Sequence, residues 1–205
     1  MRVPALITPS KITAWLECAH TLTLHHRAET GQLVVARGGL GEMAEMLMAK
    51  GQAHEDAVLG RYETAGKSIW RVPERITPEN PNPVGAGGLA ANDFANGWEP
   101  FSAWVERVGN PMADGWDIVY QLPMIDDGVR GVADFLVRVD ASVDQPAHYE
   151  AVDAKLARQA AKPGHVLQLC FYADALEALT GQRGQNIHLA LGSGATESIR
   201  LAEVA

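Results

Sequence analysis

The chain has 205 residues, 25 of them acidic against 17 lysines and arginines, for a formal net charge of -8, with 47% apolar and 20% charged residues. A chain of that length fits one domain and buries roughly 70% of the surface it exposes when unfolded, so it reads as folded and soluble, not disordered. Two cysteines exclude a disulfide framework, an all-cysteine zinc site and a four-cysteine iron–sulfur cluster; the lack of a signal-like start or an 18-residue apolar run points to the cytoplasm; and the acidic balance argues against coating nucleic acid through bulk charge.

Thr8-Pro9-Ser10 is helix-start chemistry, and Ile12, Trp15, Leu16, Ala19 and Leu22 follow at helical spacing, which predicts an amphipathic helix over 9–27. After Gly38-Gly39, residues 41–63 place Met43, Met46, Leu47, Ala53, Ala57 and Val58 near a 3.6 period. Gly51 lies inside this second helix at a cost of about 1 kcal/mol relative to alanine, which predicts close approach of another element. Five prolines between 73 and 100 (Pro73, Pro78, Pro81, Pro83 and Pro100) and Gly85-Ala86-Gly87-Gly88 predict a long loop, read as a variable insertion in preference to a mobile flap. A short helix is expected from Phe101 to Val108.

From Asp117 the apolar period becomes two. Strands are predicted at 118–124 and 129–139 around the hairpin turn Asp126-Asp127-Gly128, and a third at 148–155. Pro163-Gly164 then open an apolar helix ending at Gly181, and two alternating segments at 187–191 and 199–201 read as further strands. The order α-α-α-β-β-β-α-β-β makes this an α/β unit. The terminal segment ESIRLAEVA carries no cap or polar tail, which is the pattern of an N-terminal part of a longer chain.

Several apparent motifs fail on context. Gly60 to Ser68 has one residue too many for a phosphate-binding loop and follows a helix; Gly85-x-Gly87 lacks a βαβ unit; His54-Glu55 has Val58 where a zinc protease needs its second histidine; His25-His26 has no partner ligands. A set of polar residues on core-like elements is more informative. Asp134 interrupts an apolar strand, where a carboxylate is costly unless paired or metal-bound. Asp153 and Lys155 point to one face of the next strand. Gln168 and Tyr172 lie one turn apart, roughly 5.4 Å, on one helix face. Two carboxylates on neighbouring strands suit a hard cation, Mg2+ or Mn2+, and a lysine beside them suits stabilisation of charge on a phosphate under attack by water. A buried Asp–Lys ion pair is the competing reading of any one of these residues.

Gly131-Val132-Ala133-Asp134, Asp153-Ala154-Lys155 nineteen residues on, Gln168-x-x-x-Tyr172, and Gly51-Gln52-Ala53-His54 upstream together resemble the RecB-like branch of the PD-(D/E)XK nuclease superfamily. More closely, ITPSKITAWLECAH, KGQAHEDAVLGRY, GVADFLVRV and YEAVDAKLARQAAKPGHVLQLCFYADAL look like the N-terminal nuclease domain of RecB-like nuclease-helicase proteins, over nearly the whole chain apart from 73–100. The resemblance implies a single restriction-endonuclease-like domain over 1–205, a mixed sheet flanked by helices. It implies Mg2+ or Mn2+ held by His54, Asp134, Asp153 and the main-chain carbonyl of Ala154, with Lys155 catalytic and Gln168 and Tyr172 shaping the site and touching the strand. Ala133 stands where the superfamily name has proline, and Asp153 where glutamate is more usual; both occur in this branch. Some relatives carry an iron–sulfur cluster; none is expected here, and Cys18 and Cys170 are read as core thiols.

Lys155, Arg158, Lys162 and His165 form a basic run beside the site; Arg158, Lys162 and Tyr172 are the expected nucleic-acid contacts, although such a run is usually a solvated face. The site residues and the resemblance together predict a metal-dependent DNA nuclease; the resemblance implies a role in repair or recombination on single strands or ends, with a helicase elsewhere in a longer chain. A catalytically silent nucleic-acid-binding or assembly module retaining the fold is the second reading.

Overall fold

The computed structural model describes residues 7–34, 41–157 and 162–204. Helix α1 (Pro9–Glu17) starts as its sequence dictates: the Thr8 side chain accepts from the Lys11 amide and Pro9 opens the first turn. The helix expected to reach residue 27 instead breaks at Cys18, whose extended backbone separates α1 from α2 (Ala19–Glu29). At that break Cys18 is exposed, so it is not a core thiol, whereas Cys170 is half-buried.

Helix α3 (Glu42–Thr64) buries only Val58 and Leu59. Met43, Met46 and Leu47, which follow the helical apolar period, are 71%, 46% and 52% exposed, and Ala53 and Ala57 are exposed as well. The apolar period was present, but among the described residues no element covers that face. Nothing lies within 4 Å of a Cβ built on Gly51, so the expected close approach is absent too.

Among the described residues six strands form one mixed sheet in chain order: β1 (Ile69–Arg71), β2 (Ile118–Asp126), β3 (Val129–Val139), β4 (His148–Lys155), β5 (Asn186–Leu191) and β6 (Thr196–Arg200). β1–β2 and β4–β5 are parallel; the other pairs are antiparallel. β1 is three residues long, too short to show a period of two, and was not expected from the sequence. At the β2–β3 turn Asp127 (φ 40°) and Gly128 (φ 76°) are both left-handed, the geometry of a two-residue type I′ hairpin. α4 (Phe101–Val108) and α5 (Pro163–Thr180) complete the fold, and α5 makes the crossover that parallel β4 and β5 require.

The sheet is packed on both faces. One core joins Trp104 of α4 and Leu169, Tyr172 and Leu176 of α5 to Val119, Leu136 and Leu189; the other joins Val58 and Leu59 of α3 to Ile118, Phe135, Val152 and Ala190. Burial of such side chains contributes about 25 cal/mol per Å² of apolar surface removed from water, which is what fixes the helices to the sheet. Segment 73–100 contains one short 3-10 turn, Ala91–Asp93. It is fastened to α4: the Trp104 indole donates to Pro73 O (2.8 Å), and Arg107 reaches Glu74 O (2.9 Å), Gly85 O (3.1 Å) and the fully buried Glu99 carboxylate (2.8 and 2.9 Å). No helix among the described residues is long and apolar enough to cross a membrane.

Candidate active site

β3 and β4 bring the two aspartates together. The Asp134 Oδ2 atom accepts the Ala154 amide (2.8 Å), which fixes it against β4 beside Asp153. Asp153 is 1% exposed, and Lys155 lies two residues along on the same strand face. The Lys155 Nζ donates to Asp153 Oδ1 (3.0 Å) and sits 2.8 Å from Oδ2. That second contact is a charge contact only, because Oδ2 accepts no hydrogen bond of good geometry although it is buried. One lysine thus faces one buried and one half-buried carboxylate.

The electrostatics follow from that imbalance. Burial, and then the neighbouring Asp153 charge, push the Asp134 carboxyl up to about 7. Burial also raises Asp153, against the opposing pull of Lys155. The pair therefore favours holding a proton or a cation between its oxygens.

A third carboxylate joins them from α3. Glu55 is half-buried and raised by burial and then by the Asp134 charge; it acts in turn on Asp153. Gln121 Nε2 donates to Glu55 Oε1 (2.7 Å). Gln121 falls between the Tyr120–Phe135 and Leu122–Ala133 pairs of the β2–β3 register, unpaired there as Asp134 is, with a left-handed φ of 60°, a strained conformation for a non-glycine residue. The packing alternation breaks at this point: Tyr120 and Phe135 pack under α3, whereas Leu122 and Ala133, two residues away, belong to the core under α5. The kink thus sets Asp134 at a crossing between the two layers. Sequence reasoning missed both residues: Glu55 was weighed only as half of a zinc-protease motif, and a left-handed glutamine leaves no sequence signal.

His54 is placed differently from the expectation. Its Nε2 donates to Ala190 O (2.9 Å), and because a carbonyl only accepts, that nitrogen carries the proton. The ring ties α3 to β5. Among the described residues no three His, Cys, Asp or Glu side chains form a ready metal cage, so the expected set of His54, Asp134 and Asp153 is not gathered as one. Asp134 and Asp153 do suit a hard divalent cation, since both are oxygen donors and Asp153 Oδ2 is buried without a hydrogen bond.

Gln168 and Tyr172 meet as their spacing predicts, with Gln168 Nε2 donating to the Tyr172 hydroxyl (3.2 Å). The hydroxyl donates to Val132 O (2.7 Å), just before Asp134. Gly131 makes room for the ring: a Cβ there would lie 2.9 Å from Tyr172 Cε1 and Oη. Tyr172 is 2% exposed, and burial followed by the two nearby aspartate charges keeps its phenol protonated. A ring so enclosed is closed to base stacking; Tyr172 supports the β3 backbone. Lys162 is exposed at the start of α5. Burial, then the charges of Lys155 and Lys162, lower His165, so this imidazole adds no charge to the basic run at neutral pH. Arg158 lies outside the described residues.

Comparison with models of known protein families and with curated proteins gives no match, so the site is read from its own chemistry.

Proposed function

We propose that this chain is a divalent-metal-dependent DNA nuclease domain with a restriction-endonuclease-like core, hydrolysing phosphodiester bonds at the Asp134–Asp153–Lys155 site. The observation that carries the reading is a lysine ammonium 2.8 Å from a buried aspartate that is itself electrostatically joined to a second, half-buried aspartate on the adjacent strand. Site position agrees with it. Asp153 and Lys155 stand at the carboxyl end of β4, next to the crossover helix, where α/β sheets bind ligands.

Asp134 and Asp153 would hold Mg2+ or Mn2+, with the Ala154 carbonyl as a main-chain donor; the bound cation would supply charge neutralisation at the phosphate and lower the pKa of water. The remaining steps belong to the protein. Lys155, 28% exposed and held by Asp153, presents its ammonium to a phosphate oxygen and stabilises the charge that grows there as water attacks phosphorus. The attack forms a new P–O bond and breaks the bond to the leaving ester oxygen, which takes up a proton. Glu55, raised by burial and Asp134, faces the same pair and can accept the proton that water loses.

The test is cleavage of end-labelled single-stranded and duplex DNA with Mg2+ or Mn2+, alongside calorimetric metal binding. Asp153→Ala is expected to abolish both readouts, and Lys155→Ala to slow cleavage by about 10²- to 10³-fold while metal binding persists. Metal binding by the wild type with no cleavage of either DNA overturns the nuclease reading in favour of a silent module.

A further inference from the structure

Two arginines from distant parts of the chain meet in a cavity of about 340 Å³ bounded by the start of α1, Phe101, the Gly131–Val132 stretch of β3 and the Gln168–Tyr172 pair. Arg75 comes from the 73–100 segment. Its guanidinium carbon lies 5.6 Å from the Trp98 ring centre and 5.9 Å from that of Phe101, and its Nε donates to Glu99 O (2.6 Å). Arg130 is the second residue of β3, and its guanidinium carbon lies 5.0 Å from the Phe101 ring centre. Its backbone is held by Ile7, whose carbonyl accepts the Arg130 amide (2.8 Å), so the start of α1 is docked beside it.

Among the described residues neither arginine is in an ion pair, although the Glu99 charge favours Arg75. The nearby Glu99 carboxylate is taken by Arg107 and the Ile76 amide (3.1 Å), and among the described residues no carboxylate is ion-paired with Arg75 or Arg130. Arg75 is disfavoured first by burial and then by the charge of Arg130. Two guanidiniums that repel each other across one cavity, each stacked on an aromatic ring, present several unused N–H donors to the same space. Planar, always-charged guanidinium pairs are the side-chain chemistry best matched to phosphate.

The cavity adjoins the site already described. Gly131 and Val132 line it, and Asp134 follows within three residues, roughly 10 Å along an extended strand. Trp98 is 41% exposed next to Arg75, a flat apolar face of the kind on which an unstacked base can lie.

We propose that the Arg75–Arg130 cavity binds a backbone phosphate of single-stranded DNA, with Trp98 stacking on an adjoining base, so that the 73–100 segment forms one wall of the substrate path. The assignment of DNA as ligand rests on the nuclease reading; the anion site rests on the arginines themselves.

Binding of a fluorescent single-stranded oligonucleotide and of a hairpin duplex, measured by anisotropy in chelator across a salt series, tests this. Arg75→Ala and Arg130→Ala are expected each to weaken single-strand binding and to flatten the log–log salt slope by about 0.7, the share of one phosphate contact. Trp98→Ala weakens binding with the slope unchanged. Arg138→Ala, which removes a surface charge paired with Asp140 (3.2 Å), serves as the charge-matched control and leaves binding unaltered. Thermal melts of all variants establish that they fold. Wild-type-like cleavage and binding by both arginine variants overturn the subsite and leave the nuclease reading standing. Arginine-dependent binding without cleavage by the wild type removes the nuclease reading and leaves the subsite. Millimolar inorganic phosphate that competes fully, with no preference of the protein for the strand, overturns the DNA assignment and leaves only an anion pocket.

Discussion

At Asp134 the balance between burial and charge is sharpest. A carboxyl raised to about 7 favours the folded state only while protonated: its contribution is full below the unfolded value near 3.8 and is lost as pH rises through about 7. Without a cation, the contribution of this group to stability therefore falls between pH 4 and 7. Asp134→Asn, which can still accept the Ala154 amide, is expected to raise the melting temperature at pH 8 in chelator by a stability gain of roughly 1 to 3 kcal/mol, and to change little at pH 4. Added Mg2+ should raise the melting temperature of the wild type at pH 8 and not that of the variant. The dyad is thus testable as a charge problem before any substrate is tried.

Elements are held to each other by a few buried polar groups. Glu150 on β4 ties that strand to β5 and the turn before it: it accepts the Gln185 and Asn186 amides (2.9 and 2.8 Å), Asn186 Nδ2 (3.2 Å) and His188 Nε2 (2.8 Å), with His188 Nδ1 2.8 Å from the Ser198 hydroxyl of β6. Burial opposes its ionisation, but these donors outweigh burial and hold the carboxyl down at about 2. The stability it contributes is present above the unfolded value near 4.5 and lost as pH falls toward 2. Glu150→Gln is expected to cost roughly 2 to 3 kcal/mol at pH 7 in urea titrations, with the difference from wild type shrinking through that acid window. On α3 the opposite sign is expected. Gly51 has free space about its Cα, so Gly51→Ala should stabilise by about 0.5 to 1 kcal/mol in the same titrations, through backbone entropy alone.

Across the whole molecule, the proline-rich segment is part of the folded body. Glu99 is fully buried, and Arg107, 12% exposed, is its ionic partner. Arg107→Ala leaves that carboxylate with the Ile76 amide and no ion-pair partner, only the more distant charge of Arg75, at a cost of roughly 3 to 5 kcal/mol, and should make 73–100 an early site of limited proteolysis. The same clamp holds Arg75 and Trp98 beside α1 and β3, which is why a segment with little regular structure can line a cavity.

Local chemistry was legible in the chain wherever it acts over a few residues. Thr8-Pro9 opened α1, Asp127-Gly128 closed the hairpin, the period of two bounded β3 and β4, and the separations of Asp153 from Lys155 and of Gln168 from Tyr172 gave their shared faces, because strand and helix periodicity are properties of the backbone itself. What depends on which elements cover which was decided only by the tertiary structure. The apolar stripe of Met43, Met46 and Leu47 stays exposed, Cys18 breaks a continuous helical pattern, His54 spends its proton on Ala190, and Tyr172 is sealed beneath Gly131. Glu55 and Gln121 join the aspartates, and Arg75 meets Arg130, across separations in sequence that no period encodes. Packing between layers and the desolvation of charge are long-range effects, and they, not residue type, chose these partners.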